Sequence, residues 1–204
     1  MKLKITKKTK TIFWIYLDDE IWGILPGKIL HFFGYFEPGE YEIDEVTAKE
    51  LKHELEKYAW EKLLKLLAYR ERSRQEAYNG LAKYGFRDFL IQKLLKKAEN
   101  YNYLSEERFA ELFCESLINK GKSRREIHAK MYEKGVDETL IEQVLAQKYS
   151  NKKNDEIVTR NLEKASKRYS NLEQKKKREK IINYMVRKGF SYHVVVAALQ
   201  EKGE

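Results

Sequence analysis

Apolar positions in the first 25 residues come in short runs rich in β-branched and aromatic side chains. Leu3 to Lys8 begins by alternating apolar and polar residues, and Thr11 to Leu17 reads Thr-Ile-Phe-Trp-Ile-Tyr-Leu. Asp18-Asp19 is a polar break, and Glu20 to Leu25 is a second apolar run that stops at Pro26-Gly27. Two such runs around a two-residue polar turn predict a β-hairpin, with room for a third strand at the N-terminus. Ile29 to Phe33 predicts a short helix, and Pro38-Gly39 a turn. An isolated hairpin is marginal in water, so this segment is expected to pack on the first long helix.

From Asp44 onward the period changes to that of a helix. Leu51, Leu55, Tyr58, Ala59, Leu63, Leu66 and Leu67 fall on one face, which predicts a helix ending about Tyr69. Beyond it the chain repeats itself. Gly85, Gly135 and Gly189 are spaced 50 and 54 residues apart, and each is followed by an apolar residue. Apolar quartets follow each glycine at the same offsets: Leu90, Ile91, Leu94 and Leu95; Leu140, Ile141, Val144 and Leu145; Val194, Val195, Ala198 and Leu199. Four and eight residues before each glycine stand Leu81 and Ala77, Met131 and Ile127, and Met185 and Ile181.

These positions mark a middle helix that ends at a glycine, the residue that adopts a left-handed cap most readily, and a third helix after it. Ser73-Arg74-Gln75-Glu76 and Ser123-Arg124-Arg125-Glu126 are capping boxes that open the first two middle helices. The third copy reads Lys177-Arg178-Glu179-Lys180 in that register, so its middle helix is expected to begin earlier, near Asn171. A leading helix precedes each middle one, with Ala59, Trp60, Leu63 and Leu64 matching Phe109, Ala110, Phe113 and Cys114, then Ile157, Val158, Asn161 and Leu162. Gly80, inside the first middle helix, is expected to permit close packing or a kink.

The expected fold is therefore mostly α: a tandem array of three three-helix repeats, elongated and curved, preceded by a small N-terminal β-hairpin. The boundaries read as 1–45 for the hairpin, 46–104 for the first repeat with its long leading helix, 105–150 for the second and 151–204 for the third.

Composition narrows the function classes. No run of apolar residues approaches membrane-spanning length, and the N-terminus has no apolar core followed by a cleavage site, so a cytoplasmic protein is expected. One cysteine, Cys114, lies on an apolar stripe and reads as a small buried hydrophobe. His31, His53, His128 and His193 stand on separate elements without metal-ligand spacing, and no Gly-rich phosphate loop follows a strand. Neither enzymatic chemistry, a metal nor a cofactor is expected.

The net charge of +9 is unevenly placed. Residues 151–188 hold 13 Lys/Arg against 5 Asp/Glu, and residues 59–104 hold 10 against 5, whereas 11–58 hold 4 against 11. Basic blocks of this kind either solvate a surface or attract polyanions through counterion release. Three sets stand near the entry to a middle helix: Arg70, Arg72 and Arg74; Lys120, Lys122, Arg124 and Arg125; and Lys175, Lys176, Lys177, Arg178 and Lys180. If the repeats stack, the three sets would form one basic stripe.

The motifs also carry a resemblance. Arg108-Phe109-Ala110-Glu111, Lys120 to Ile127 and Lys134-Gly135-Val136 resemble the central repeat of RecX proteins. Leu67 to Glu76 with Lys83-Tyr84-Gly85-Phe86 resembles their first repeat, and Arg187-Lys188-Gly189-Phe190 the end of their third. The resemblance spans the chain and is densest over residues 59–147. The third middle helix departs from the family pattern by its basic character and its missing serine.

The resemblance implies a cofactor-free modulator of RecA recombinase. Such a protein binds RecA and its filaments on single-stranded DNA, and mostly limits filament growth and the ATPase, coprotease and strand-exchange activities, within the SOS response and homologous recombination. A monomer that contacts single-stranded and also double-stranded DNA is the expected form. The other reading open here is a stand-alone basic nucleic-acid-binding protein. The third helices open with Asp137-Glu138-Thr139 and Ser191-Tyr192-His193, which lack the Arg, Asn or Gln of a base-reading helix.

Overall fold

The structure, a computed structural model, describes residues 1–201. The chain forms two compact units, Met1–Ser105 and a second that begins at Glu106.

In the first unit, β1 (Lys2–Lys7), β2 (Ile12–Leu17), β3 (Glu20–Pro26) and β4 (Gly39–Glu42) form one sheet in the order β3-β2-β1-β4, with every pairing antiparallel. The predicted hairpin is β2–β3, and it is half of a four-stranded sheet. β1 pairs Leu3 with Leu17 and Ile5 with Ile15, and these four side chains are buried on one face. β4 is four residues long, too short to announce itself by alternation, and is held to β1 by Lys2 and Lys4, both ion-paired to Glu40 at 3.0 and 3.2 Å. Asp18 and Asp19 both take positive φ, 49° and 62°, as a two-residue turn between right-twisted strands requires. The short helix α1 (Gly27–Phe32) connects β3 to β4.

Three helices complete this unit: α2 (Glu45–Tyr69), α3 (Arg74–Ala82) and α4 (Asp88–Asn100). The Asp44 side chain caps α2 by accepting from the Thr47 amide at 2.7 Å. Ala48, Leu51, Leu55, Ala59 and Leu63 then bury one face. Gly80 lets α3 lie close to α2, since a Cβ there would stand 2.5 Å from Leu66. The sheet docks on the α3–α4 turn: the Phe86 ring occupies the place a Gly23 side chain would take, and Trp14 and Ile21 close on Gly85. Sheet and helices thus share a single core.

The second unit contains α5 (Glu106–Asn119), α6 (Arg124–Glu133), α7 (Glu138–Lys148), α8 (Asn151–Arg168), α9 (Gln174–Arg187) and α10 (Tyr192–Glu201). Gly85, Gly135 and Gly189 all take positive φ, 69°, 79° and 86°, at the ends of α3, α6 and α9. Both serines cap their helices: Ser73 Oγ accepts from the Glu76 amide at 3.1 Å, and Ser123 Oγ from the Glu126 amide at 3.2 Å. α9 begins at Gln174 rather than near Asn171, and Glu173 precedes it without a side-chain cap. Side chains of α5–α7 and of α8–α10 pack into one core.

That core contains a polar latch. Asn161 of α8 stands at an apolar position of the repeat and is buried. Its Nδ2 donates to Gly121 O at 3.0 Å and to Ile157 O at 2.9 Å. Ser123 Oγ donates to Lys188 O at 2.6 Å, so one hydroxyl caps α6 and ties it to the end of α9.

Candidate functional site

The basic residues singled out by sequence divide between the two units. In the first, Arg70 follows α2 and grips Glu76 with two parallel bonds, Nη1–Oε2 at 2.8 Å and Nη2–Oε1 at 3.1 Å. This pairing raises the Arg70 pKa above its ordinary value. Arg72 Nε donates to Leu66 O at 3.0 Å and so closes the end of α2. Arg74 reaches α4, with Nε 3.0 Å from Glu99 and Nη2 2.6 Å from Gln92. These arginines therefore fasten the α2–α3 turn and hold α4 to it.

In the second unit, Lys122 pairs with Glu126 one turn into α6, and Arg124 Nη2 lies 2.7 Å from Glu142 Oε2 on α7. Arg125 lies against Gly189, where a Cβ would come 3.2 Å from the arginine's own, and lines a cavity of about 430 Å³ with Arg124, His128 and Asn154. Lys175, Lys176, Lys177, Arg178 and Lys180 occupy the first two turns of α9. Lys175, Lys176 and Lys180 are exposed, and Lys177 and Arg178 are half-buried. The rise of a helix puts these turns roughly 20 Å from the Arg125 end of α9. The two sets in this unit therefore occupy opposite ends of one helix.

Folding also assembles groups that sequence reading kept apart. His128 Nε2 lies 2.7 Å from Glu138 Oε1 and 3.6 Å from Glu142 Oε1. One imidazole and two carboxylates thus converge, with Arg124 on the remaining Glu142 oxygen. The histidines were read as scattered because this grouping joins α6 to α7 across a turn. Both carboxylates are more than half exposed, and the arrangement is an ion-pair network on the helix surface. Cys114 is fully buried, and burial pushes its thiol up to about 11, the behaviour of a packing residue rather than a nucleophile.

A basic grouping that sequence reading missed lies in the first unit, where Lys8, Arg72, Lys83 and Tyr84 share the wall of a cavity of about 650 Å³. Lys8 precedes β2 and is far from the others in sequence. Its one legible sign is the run of five lysines in residues 1–10.

Comparison with known proteins places these elements in a family. The second three-helix domain of RecX matches residues 105–145 and the third three-helix domain matches residues 154–199. A regulatory protein RecX of Bacillus licheniformis is 32% identical over 162 residues, which cover 78% of this chain. The chain spans 61% of the length of that relative. A regulatory protein RecX of Listeria welshimeri is 27% identical over 98% of this chain and 74% of its own length. Among solved structures, a regulatory protein RecX superposes with a TM-score of 0.67 at 23% identity, covering 94% of this chain and 96% of that one, a likeness of fold. RecX from Lactobacillus salivarius gives a TM-score of 0.64 at 25% identity over 72% of this chain and 95% of its own. No helix among the described residues is long and apolar enough to cross a membrane.

Proposed function

The chain belongs to the RecX family of regulatory proteins, and from that premise we propose that it regulates RecA recombinase, chiefly as an inhibitor. It binds RecA and RecA filaments on single-stranded DNA, and limits filament growth and with it ATPase, coprotease and strand-exchange activity. It acts by occupying surfaces, as a cytoplasmic monomer, without catalysis or cofactor. The observation that carries this reading is the ordered match of the second and third three-helix domains.

In each unit taken by itself, the surface assigned to the filament comprises the basic residues at the helix entries. Arg125 and the first two turns of α9, with Lys175, Lys176, Lys177, Arg178 and Lys180, are its main candidates. Lys122, Arg124, Arg70, Arg72 and Arg74 contribute positive charge while holding their intramolecular partners. The basic character of α9 also favours a second reading, a stand-alone nucleic-acid-binding protein that grips single- or double-stranded DNA without RecA.

RecA ATPase on single-stranded DNA, titrated with this protein, tests the first reading. Inhibition at well below one molecule per RecA supports action on filaments. No change, together with failure to capture RecA in a pull-down and steeply salt-sensitive binding to naked DNA, transfers the assignment to the second.

A further inference from the structure

The cavity of about 650 Å³ in the first unit is walled by three parts of the chain: Lys8 from the loop after β1, Arg72 from the α2–α3 turn, and Lys83 and Tyr84 from the end of α3. Lys62 of α2 joins them. Its ammonium lies 5.6 Å from the centre of the Tyr84 ring, and that of Lys8 lies 5.1 Å from it. Lys8 also stands 3.9 Å over the ring of Trp14 on β2. Two ammoniums thus face one tyrosine, and Arg72 and Lys83 stand on the same cavity wall.

The charge is not balanced from within. Among the described residues no carboxylate is paired with Lys8, Lys62 or Lys83. The wall's single carboxylate, Glu76, has both oxygens held by Arg70. Burial, and then the neighbouring Lys62 ammonium, hold the Lys8 amine below its ordinary range. Keeping like charges together in a half-buried place costs free energy that an anion in the cavity would recover. Ring faces fix the two ammoniums in position and leave N–H bonds for a ligand. Because those faces already carry ammoniums, they are not free to stack on bases, so the donors suit phosphate oxygens without regard to sequence.

We propose that this cavity is a phosphodiester-binding site, built jointly by the N-terminal sheet and the first three helices, that takes the backbone of a single-stranded nucleic acid. The choice of nucleic acid among polyphosphates rests on the reading of the chain as a protein of DNA filaments; the pocket's charge stands without it. The sheet thereby gains a role besides packing, since β2 supplies Trp14 and the loop between β1 and β2 supplies Lys8.

The test is fluorescence anisotropy of a labelled oligo-dT strand with the full chain, without RecA, over a range of salt. Lys8→Ala/Lys62→Ala is compared with Lys49→Ala/Lys96→Ala, which removes the same charge from exposed positions outside the pocket, and with Lys8→Arg/Lys62→Arg, which keeps the charge. Loss of two phosphate contacts lowers the log–log salt slope by about 1.4 and weakens binding several-fold at low salt. The arginine pair retains the slope and the control pair keeps most of it. Equal slopes for the pocket and control pairs overturn the pocket, as does failure of the unmodified chain to bind both the strand and tripolyphosphate. Tripolyphosphate that binds the chain through Lys8 and Lys62 where oligo-dT does not overturns the nucleic-acid assignment. A chain that leaves RecA ATPase unchanged yet binds oligo-dT through these lysines removes the RecA reading and keeps the pocket; equal slopes beside intact RecA inhibition do the reverse.

Discussion

Asn161 occupies a position that the repeat reserves for apolar side chains, and it is buried because two backbone carbonyls converge on it. Asn161→Ala strips Gly121 O of that donor, and the penalty for a buried unsatisfied acceptor is about 1–3 kcal/mol. Urea denaturation reads it as a lower midpoint, and a loss of only a few tenths would mean that water replaces the amide. Cys114 illustrates the opposite case, a reactive group silenced by its surroundings. Its thiol is pushed up to about 11 from 9.0. The native thiol keeps its proton where the unfolded one releases it, so stability falls as pH rises from about 9 to 11. Cys114→Ala should lack that component of the decline, and alkylation of the unmodified thiol near neutral pH should wait on unfolding. Sequence periodicity placed Cys114 in the core, because a stripe position is a local property. It could not single out Asn161, whose partner carbonyl on Gly121 lies 40 residues away.

At the scale of elements, helix starts and stops were legible where the signals are short-range. Ser-x-x-Glu and the glycine after each middle helix act within one turn, and both serine caps and all three left-handed glycines formed. Ser123 has a second task across the latch. Ser123→Ala should therefore destabilise the chain more than Ser150→Ala, whose exposed hydroxyl only caps α8 and is worth about 0.5–1 kcal/mol. Calorimetry of the two variants checks the order, and equal losses would show that the Lys188 bond contributes nothing. The sheet was read as a hairpin with room for a third strand, and the fourth went unseen because β4 is too brief to show a period. What establishes it is docking: Gly23 and Gly85 leave the space that Phe86, Trp14 and Ile21 fill. Gly23→Val, at φ 140° and against Phe86, should cost the first unit cooperative unfolding or lower its midpoint sharply, as followed by circular dichroism.

At the scale of the whole chain, the two cores share no side chain among the described residues. Limited proteolysis should therefore release fragments that meet near Ser105, each with its own cooperative unfolding transition. Fragments that melt only as aggregates would argue against independent cores. Charge reads differently at this scale. If α9 supplies the filament surface, Lys175→Ala/Lys176→Ala/Lys180→Ala should raise the concentration needed to inhibit RecA ATPase at least several-fold, with the thermal midpoint unchanged because all three side chains are exposed. Counting lysines and arginines located the basic blocks without telling a free ammonium from one held in an ion pair. Arg70 and Arg74, read as surface cations, are bound to Glu76 and Glu99, while Lys8, in a stretch read only for its strands, meets Lys62 across the fold.

The helical repeat, its glycine stops, its serine caps and the family motifs were all present in the order of residues, since each depends on spacings within a few turns. The four-stranded sheet, the buried Asn161 latch, the pairing of the arginines and the meeting of Lys8 and Lys62 over Tyr84 belong to the folded chain. Each joins residues separated by a turn or by dozens of positions, and such encounters are set by how helices and strands pack, which local pattern does not encode.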